Sequence, residues 1–386
     1  MHRVWPIGDN LCDMINTSRR NFLKTASAAT IATAAYPSFA AVHSQRLFIG
    51  SGTPDGILAY DWNSKTGELT AAGVAAKIPT VDWVIFSPRR EYLYAACEIS
   101  SFNGKPTGEV ASFSVAKGEL AQLSAQNAAS VGTCHIAMDQ TGHVLVAADY
   151  GGGSAASYLI TDGKLSEAVW TEHYSGHGPD PRQRAPHAHF VSISPDNRFV
   201  YINDLGLDMI HIYSLDTTTA KLTPAGAYHS KPGIGPRTLH FHPNGHTAYS
   251  MNELSSTIDV VEWNKADGSL TLQSSIELVQ PGTPTHGCDT VISKDGKSVY
   301  FANRGDNSIY FYRADAKTGS LTKVDRFDCG GKTPRNFVLD PTERWMLVAN
   351  QDSSQISVFA RNPATGVLAK EGKNFAAAKP MCILFE

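Results

Sequence analysis

Short apolar runs bounded by polar turn residues succeed one another from Arg46 to the C-terminus, and no stretch there carries helical periodicity. The clearest pair lies between Asp180 and Asp208. Phe190 to Ile193 is apolar, Ser194-Pro195-Asp196-Asn197 supplies turn chemistry, and Phe199 to Ile202 is a second β-rich run, which predicts an antiparallel hairpin. Equivalent turns fall at Ser87-Pro88, Asp139-Gln140, His242-Pro243, Ser293-Lys294 and Asp340-Pro341. Apolar strands such as Tyr92-Leu93-Tyr94, Val299-Tyr300-Phe301 and Met346-Leu347-Val348 follow them. A third short run comes next, as at Ile57 to Tyr60, Ile210 to Tyr213, Ile258 to Val261, Ile309 to Tyr312 and Ile356 to Phe359.

Each third run leads into a tight-turn tetrad ending in leucine. The seven tetrads end at Leu69, Leu120, Leu165, Leu222, Leu270, Leu321 and Leu368, spaced by 45 to 57 residues. Six carry glycine two residues before the leucine, where a hairpin turn needs positive φ, and the fourth carries Ala220. A strand after each tetrad makes four strands per unit of about 50 residues, the arithmetic of a β-propeller blade. The expected fold is all-β, a seven-bladed β-propeller. The first copy starts at Arg46-Leu47-Phe48-Ile49 and lacks an innermost strand. Lys379 to Phe385 resembles the start of the seventh copy, Lys332 to Phe337, so the C-terminal strand is expected to complete blade one and close the ring. A β-solenoid is the alternative, but its units are usually shorter and it needs no donated strand.

The hairpins can be superposed on their turns, taking Pro195 as the reference. Six residues earlier stand Asp82, Cys134, His189, Arg237, Cys288 and Arg335, with Met381 in the seventh place. Ten residues later stand Glu98, Tyr150, Leu205, Glu253, Arg304 and Gln351. The midpoint of these two positions falls in the turn, so pairing is expected to bring them together at the open end of each hairpin, around one axial mouth. Structural positions in a repeat should be alike, and these are not. An ion-pair ring serving stability alone is the competing reading, and Arg335 with Asp82 carries most of it.

The first 40 residues read as a signal rather than as fold. Ser18-Arg19-Arg20-Asn21-Phe22-Leu23-Lys24 is a twin-arginine export pattern, Ala26 to Ala35 is weakly apolar, and Ser38-Phe39-Ala40 fits a cleavage site. Residues 1–13 read as an upstream extension before Met14. The expected course is folding in the cytoplasm, passage through the twin-arginine machinery and work in the periplasm. The propeller domain is then residues 41–386, with 29 basic and 34 acidic residues and a formal charge of −5. Without a basic stripe or polybasic segment, neither nucleic acid nor stable membrane association is expected, and a monomer is. Cys97, Cys134, Cys288, Cys329 and Cys382 are scattered without C-x-x-C spacing, which argues against zinc or haem attachment. At most two disulfides could form among them, and small buried core residues are the preferred reading. His187-Ala188-His189 has alternate spacing that could face a metal, yet no third ligand follows nearby. Gly151-Gly152-Gly153-Ser154 precedes no helix and reads as a turn rather than a phosphate loop.

Five motifs in order bear a family resemblance: Pro186-His187-Ala188-His189, Gly235-Pro236-Arg237, Asn252 to Thr257, Asn303-Arg304-Gly305 and Lys332 to Asn336. They resemble the propeller-type 6-phosphogluconolactonases, which are similar in turn to the fungal carboxymuconate-lactonizing enzymes. The resemblance implies a seven-bladed propeller with no required metal or other cofactor, and an active site at His189, Arg237, Glu253 and Arg304. It implies hydrolysis of a sugar lactone, with a carboxymuconate-type cycloisomerase as the enzymatic alternative; apart from the resemblance, an exported propeller could serve as a non-catalytic binding platform, since fold does not imply function. His189 is expected as general base, because its ordinary pKa lies nearest neutrality. Glu253 is expected to orient it or to act as acid. Arg237 and Arg304 suit the oxyanion. His187, Arg335, Glu98 and Asp204 are expected to contact substrate. The export signal favours a non-phosphorylated lactone such as glucono-δ-lactone, while Arg237, Arg304 and Arg335 at the mouth keep an acidic lactone open.

Overall fold

Every predicted turn becomes a chain reversal in the computed structural model, which describes residues 44–386. The export segment, its extension and its cleavage site lie outside the described residues. Seven antiparallel sheets of four strands follow one another, each with the order inner, second, third, outer. Blade four is typical: Ala188–Ile193, Phe199–Asp204, Met209–Leu215 and Leu222–His229. Blade one takes Ser44–Ser51, Ile57–Asn63 and Glu68–Ala76 from its own copy and Pro380–Phe385 as its innermost strand. Leu47, Phe48 and Ile49 pair with Phe385, Leu384 and Ile383, so the ring closes on a strand from the far end of the chain. Among the described residues no helix is long and apolar enough to cross a membrane.

The burial pattern follows strand position. Second strands such as Val144–Asp149, Phe199–Asp204 and Ser298–Asn303 are buried throughout, whereas outer strands such as Leu222–His229 expose most of their residues. Seven apolar clusters result; in one, Trp62, Leu347, Val358 and Phe385 join blades one and seven. The tetrad turns do more than reverse the chain. Tyr201 and Tyr249, on second strands, donate hydrogen bonds of 2.7 Å to the carbonyls of Gly268 and Gly319 in the next blade. Tyr300 does the same to Gly366. The six tetrad glycines have φ between 68° and 78°, and Ala220 adopts 55° at the same place. For an L-residue this conformation costs about 1–2 kcal/mol, so the packing of blade four on blade three imposes the shared geometry. The five cysteines among the described residues are free and buried, as core residues.

The expected pairing of the two ring positions needs correction. Glu253 donates its backbone N–H to Gly235, Arg304 to His286 and Leu205 to His187, two residues before the position expected. One residue of this offset comes from the hairpin turn, since Val191 already faces Ile202, and the other from a β-bulge at the start of every innermost strand. Ala188 faces Asp204 and Phe190 faces Asn203, leaving His189 as the extra residue. Arg237, Arg335, Asp82 and Cys134 are extra in the same way, Met381 takes this place in the donated strand, and Cys288 with Asp289 does so in blade six. A bulge turns its residue out of the pleat. Here it collects the seven residues around the axis.

Candidate active site

The bulge residues form a layer across the channel, and the ends of the second strands form its mouth. Below the layer, Trp83, His135, Phe190 and Asp289 help enclose a void of about 10 Å³. The His135 ring lies 3.8 Å from that of Phe190 and 4.4 Å from that of Trp83, so aromatic packing closes the channel beneath the site. Above it a cavity of about 170 Å³ opens outward, lined by Glu98, Cys134, Tyr150, Arg182, His189, Glu253, Arg304 and Arg335. That is below the ~300 Å³ at which drug-sized pockets begin, and suits a single small ring.

Glu253 is the centre of one wall. Its Oε2 lies 3.0 Å from Arg237 Nε and 2.8 Å from Arg304 Nη2, and its Oε1 accepts a 2.6 Å hydrogen bond from Arg182 Nη2. The contacts from Arg237 Nε and Arg304 Nη2 are close in distance but not aligned as hydrogen bonds. Arg237 spends its Nη1 on the Cys288 carbonyl at 2.5 Å. Burial pushes the Glu253 carboxyl up, but Arg304, Arg237, His189 and Arg182 outweigh it and hold it well below the ordinary range. Held as an anion, it suits the orienting role expected for it rather than proton donation. Burial, and then Arg237, push the His189 imidazole well below its usual value against the opposing pull of Glu253. His189 is 8% exposed, and its Nδ1 is enclosed without a partner. Glu253 therefore acts on His189 through charge and not through a hydrogen bond.

The facing wall is acidic. Arg335 forks onto Asp82, with Nε and Nη2 at 3.0 and 2.6 Å from the two carboxylate oxygens. This is the ion pair that the stability reading foresaw. Glu98 stands 3.8 Å from Arg335 Nη2 with 34% of its side chain exposed. Burial and Asp82 push its carboxyl up to about 7, against Arg335 and Arg237.

Two expected contact residues lie elsewhere. Asp204 is fully buried, its Oδ1 accepting from the backbone N–H groups of His187, Gly206 and Leu207. It belongs to a set one residue before the mouth position, with Asp149 and Asn303, whose side chains clasp the preceding link at Ser130 and His286. Strand alternation turns this set away from the channel. His187 stacks on Tyr150 at 4.4 Å and holds its carbonyl through Nδ1 at 2.9 Å, so it supports the wall from behind. Conversely, Arg182 was not foreseen. It sits in the link Tyr174 to His187, the longest between successive blades, and that length in a fold of short links was its only signal. Among the described residues no group of three or more His, Cys, Asp or Glu could hold a metal ion. The His187 and His189 rings both pack on Tyr150, one stacked at 4.4 Å and the other edge-on at 5.4 Å.

The arrangement offers a neutral imidazole, a clustered set of guanidiniums and a carboxyl group around a pocket for one small ring. Known proteins resemble the chain along most of its length. The 6-phosphogluconolactonase of Bacillus subtilis is 30% identical over 339 residues, 86% of this chain and 95% of that one. That of Formosa agariphila is 30% identical over 338 residues, covering 84% and 94%. The solved structure of the periplasmic gluconolactonase of Pseudomonas aeruginosa superposes with a TM-score of 0.83 at 28% identity, covering 89% of this chain and 99% of that chain. The family model described as lactonase, seven-bladed β-propeller, matches residues 46–385, and this chain belongs to that family.

Proposed function

We propose that the protein hydrolyses a sugar lactone to the aldonic acid, with His189 as general base for water attack. The observation that carries this is the outer cavity itself, where a buried, uncharged imidazole faces the same small space as Arg304 and Arg182. Hydrolysis needs a proton taken from water and charge placed beside the oxygen that becomes anionic. His189 is in its neutral form at physiological pH and can accept the proton. Arg304, and behind it Arg237, present charge that needs no reorganisation. Glu253 holds these guanidiniums together against their mutual repulsion. A cycloisomerase would need the same base and guanidiniums, but the names of the relatives favour hydrolysis.

Glucono-δ-lactone is the proposed substrate, and the export pattern at Ser18 to Lys24 with the periplasmic relative supports work in that compartment. Arg335 is occupied by Asp82 and Arg237 by Glu253 and Cys288, which leaves less free positive charge at the mouth than the arginine count suggested. The test is turnover of glucono-δ-lactone by the purified protein, in EDTA, beside 6-phosphoglucono-δ-lactone. Hydrolysis of the neutral lactone is expected to persist in EDTA, and His189→Ala to lose about 10²–10⁴-fold in kcat with the fold intact. A preference of about 10–100-fold for the phosphorylated lactone, the size of one charged contact, would overturn the neutral substrate. An unchanged kcat in His189→Ala would overturn the base.

A further inference from the structure

We infer that Glu98 is a catalytic residue, the proton donor to the leaving alkoxide, acting across the outer cavity from His189. The inference rests on the lactonase reading and adds the acid that the reading lacks. Glu253 cannot supply it, because four cationic or imidazole neighbours hold it as an anion. Arg182, Arg237, Arg304 and Arg335 are guanidiniums that do not give up protons at neutral pH. Of the carboxyl groups beside the cavity, Asp82 is locked in a two-point contact with Arg335. Glu98 remains.

Its position explains why it keeps a proton. Glu98 ends the second strand of blade two, just beyond Cys97, and lines the cavity with His189, Glu253 and Arg304. Arg335 could neutralise it, but directs both near nitrogens to Asp82 and meets Glu98 only at 3.8 Å. Asp82 therefore has the cation, and Glu98 has Asp82 as a negative neighbour. The other groups facing it are Cys134 and Tyr150 from blade three and Arg237 from blade five, with Arg182, His189, Glu253 and Arg304 across the cavity. Burial and Asp82 push Glu98 up to about 7 while burial and Arg237 push His189 down. The carboxyl is then the acid and the imidazole the base at one pH, the separation that marks an acid–base pair.

The step balances without a co-reactant. Water oxygen bonds to the lactone carbonyl carbon as His189 takes its proton, and the carbonyl π pair moves to its oxygen. That pair returns as the ring C–O bond breaks, and the bonding electrons pass to the ring oxygen, which takes the proton of Glu98. The proton on His189 passes through solvent to the Glu98 carboxylate, leaving one water added across one ester bond.

The test compares wild type with Glu98→Gln on glucono-δ-lactone, whose leaving group is an alkoxide, and on dihydrocoumarin, whose leaving group is a phenolate. Wild-type kcat/KM on glucono-δ-lactone should fall as pH rises through about 7. Glu98→Gln should lose about 10²-fold or more on it and no longer show that alkaline limb, while losing less than about 10-fold on dihydrocoumarin. A role confined to structure or substrate binding would lower both lactones alike and leave the limb in place, and either result overturns the assignment. Wild-type protein that turns over neither lactone would sink the lactonase reading and the acid with it. Wild-type turnover with equal losses in the variant would sink the acid alone.

Discussion

Burial and Asp82 push the Glu98 carboxyl up to about 7, and this is a statement about stability as well as about chemistry. A carboxyl raised by the fold destabilises it in the charged form. That cost is absent below the unfolded value of about 4.3 and grows as pH rises towards 7. Glu98→Gln should therefore raise Tm more at pH 8 than at pH 5. Equal shifts at the two pH values would mean that the amide gains contacts unrelated to charge. His135 and His189 act on the other side. Both are buried with lowered pKa values, so the unfolded chain takes up protons that the folded one refuses. Stability from these two groups is fully present above about 6.5 and is lost as pH falls below it. At the same scale, breaking the Asp82–Arg335 pair from one side would leave a buried charge without its partner, at about 3–5 kcal/mol.

Between a strand and its neighbour, one added residue decides what the site contains. The repeat made the bulge position legible, because Asp82, Cys134, His189, Arg237 and Arg335 fall at one offset from their turns while differing in chemistry. The bulge itself left no mark in that pattern: counting residues through an antiparallel pair assumes an even pleat and a known turn centre, and one residue lost to each put the partners two residues away from Gly235 and His286. Asp204 was misread for a related reason. An acidic side chain at a strand end looks alike whether it faces the channel or clasps a backbone, and only the face decides. Arg182 has no equivalent in the other copies, so comparing repeats could not find it. Gly305, next to Arg304, shows how closely the mouth is built. A Cβ there would stand 2.2 Å from the Pro284 carbonyl oxygen and 3.0 Å from the Thr285 nitrogen, both backbone atoms. Gly305→Ala should displace Arg304 or the link 284–286 and lower kcat/KM by up to ~10²-fold, with KM for glucono-δ-lactone changing less than kcat. Unchanged kinetics would show that the link yields without moving the guanidinium.

The whole ring depends on a pairing between residues more than 300 positions apart in sequence, as at Ile49 and Ile383. Deleting Lys379 to Glu386 removes the innermost strand of blade one, bares the edge of Ser44–Ser51 and takes Met381 out of the bulge layer. The truncated protein should melt lower and self-associate in sedimentation or light scattering. A monodisperse protein with unchanged Tm would contradict the role of the closing strand. The same pairing also orders events in time. Blades two to seven are each made of one continuous stretch and can form as that stretch leaves the ribosome. Blade one cannot, because its innermost strand, Pro380–Phe385, is synthesised after the other six blades. Its first three strands must wait through the synthesis of all the others, and a pairing of such sequence separation is slow to find. Translation that stops anywhere short of Pro380 yields no closed ring, and thus no complete channel around His189. Ring closure thereby acts as a checkpoint, passed only by a chain translated through Phe385.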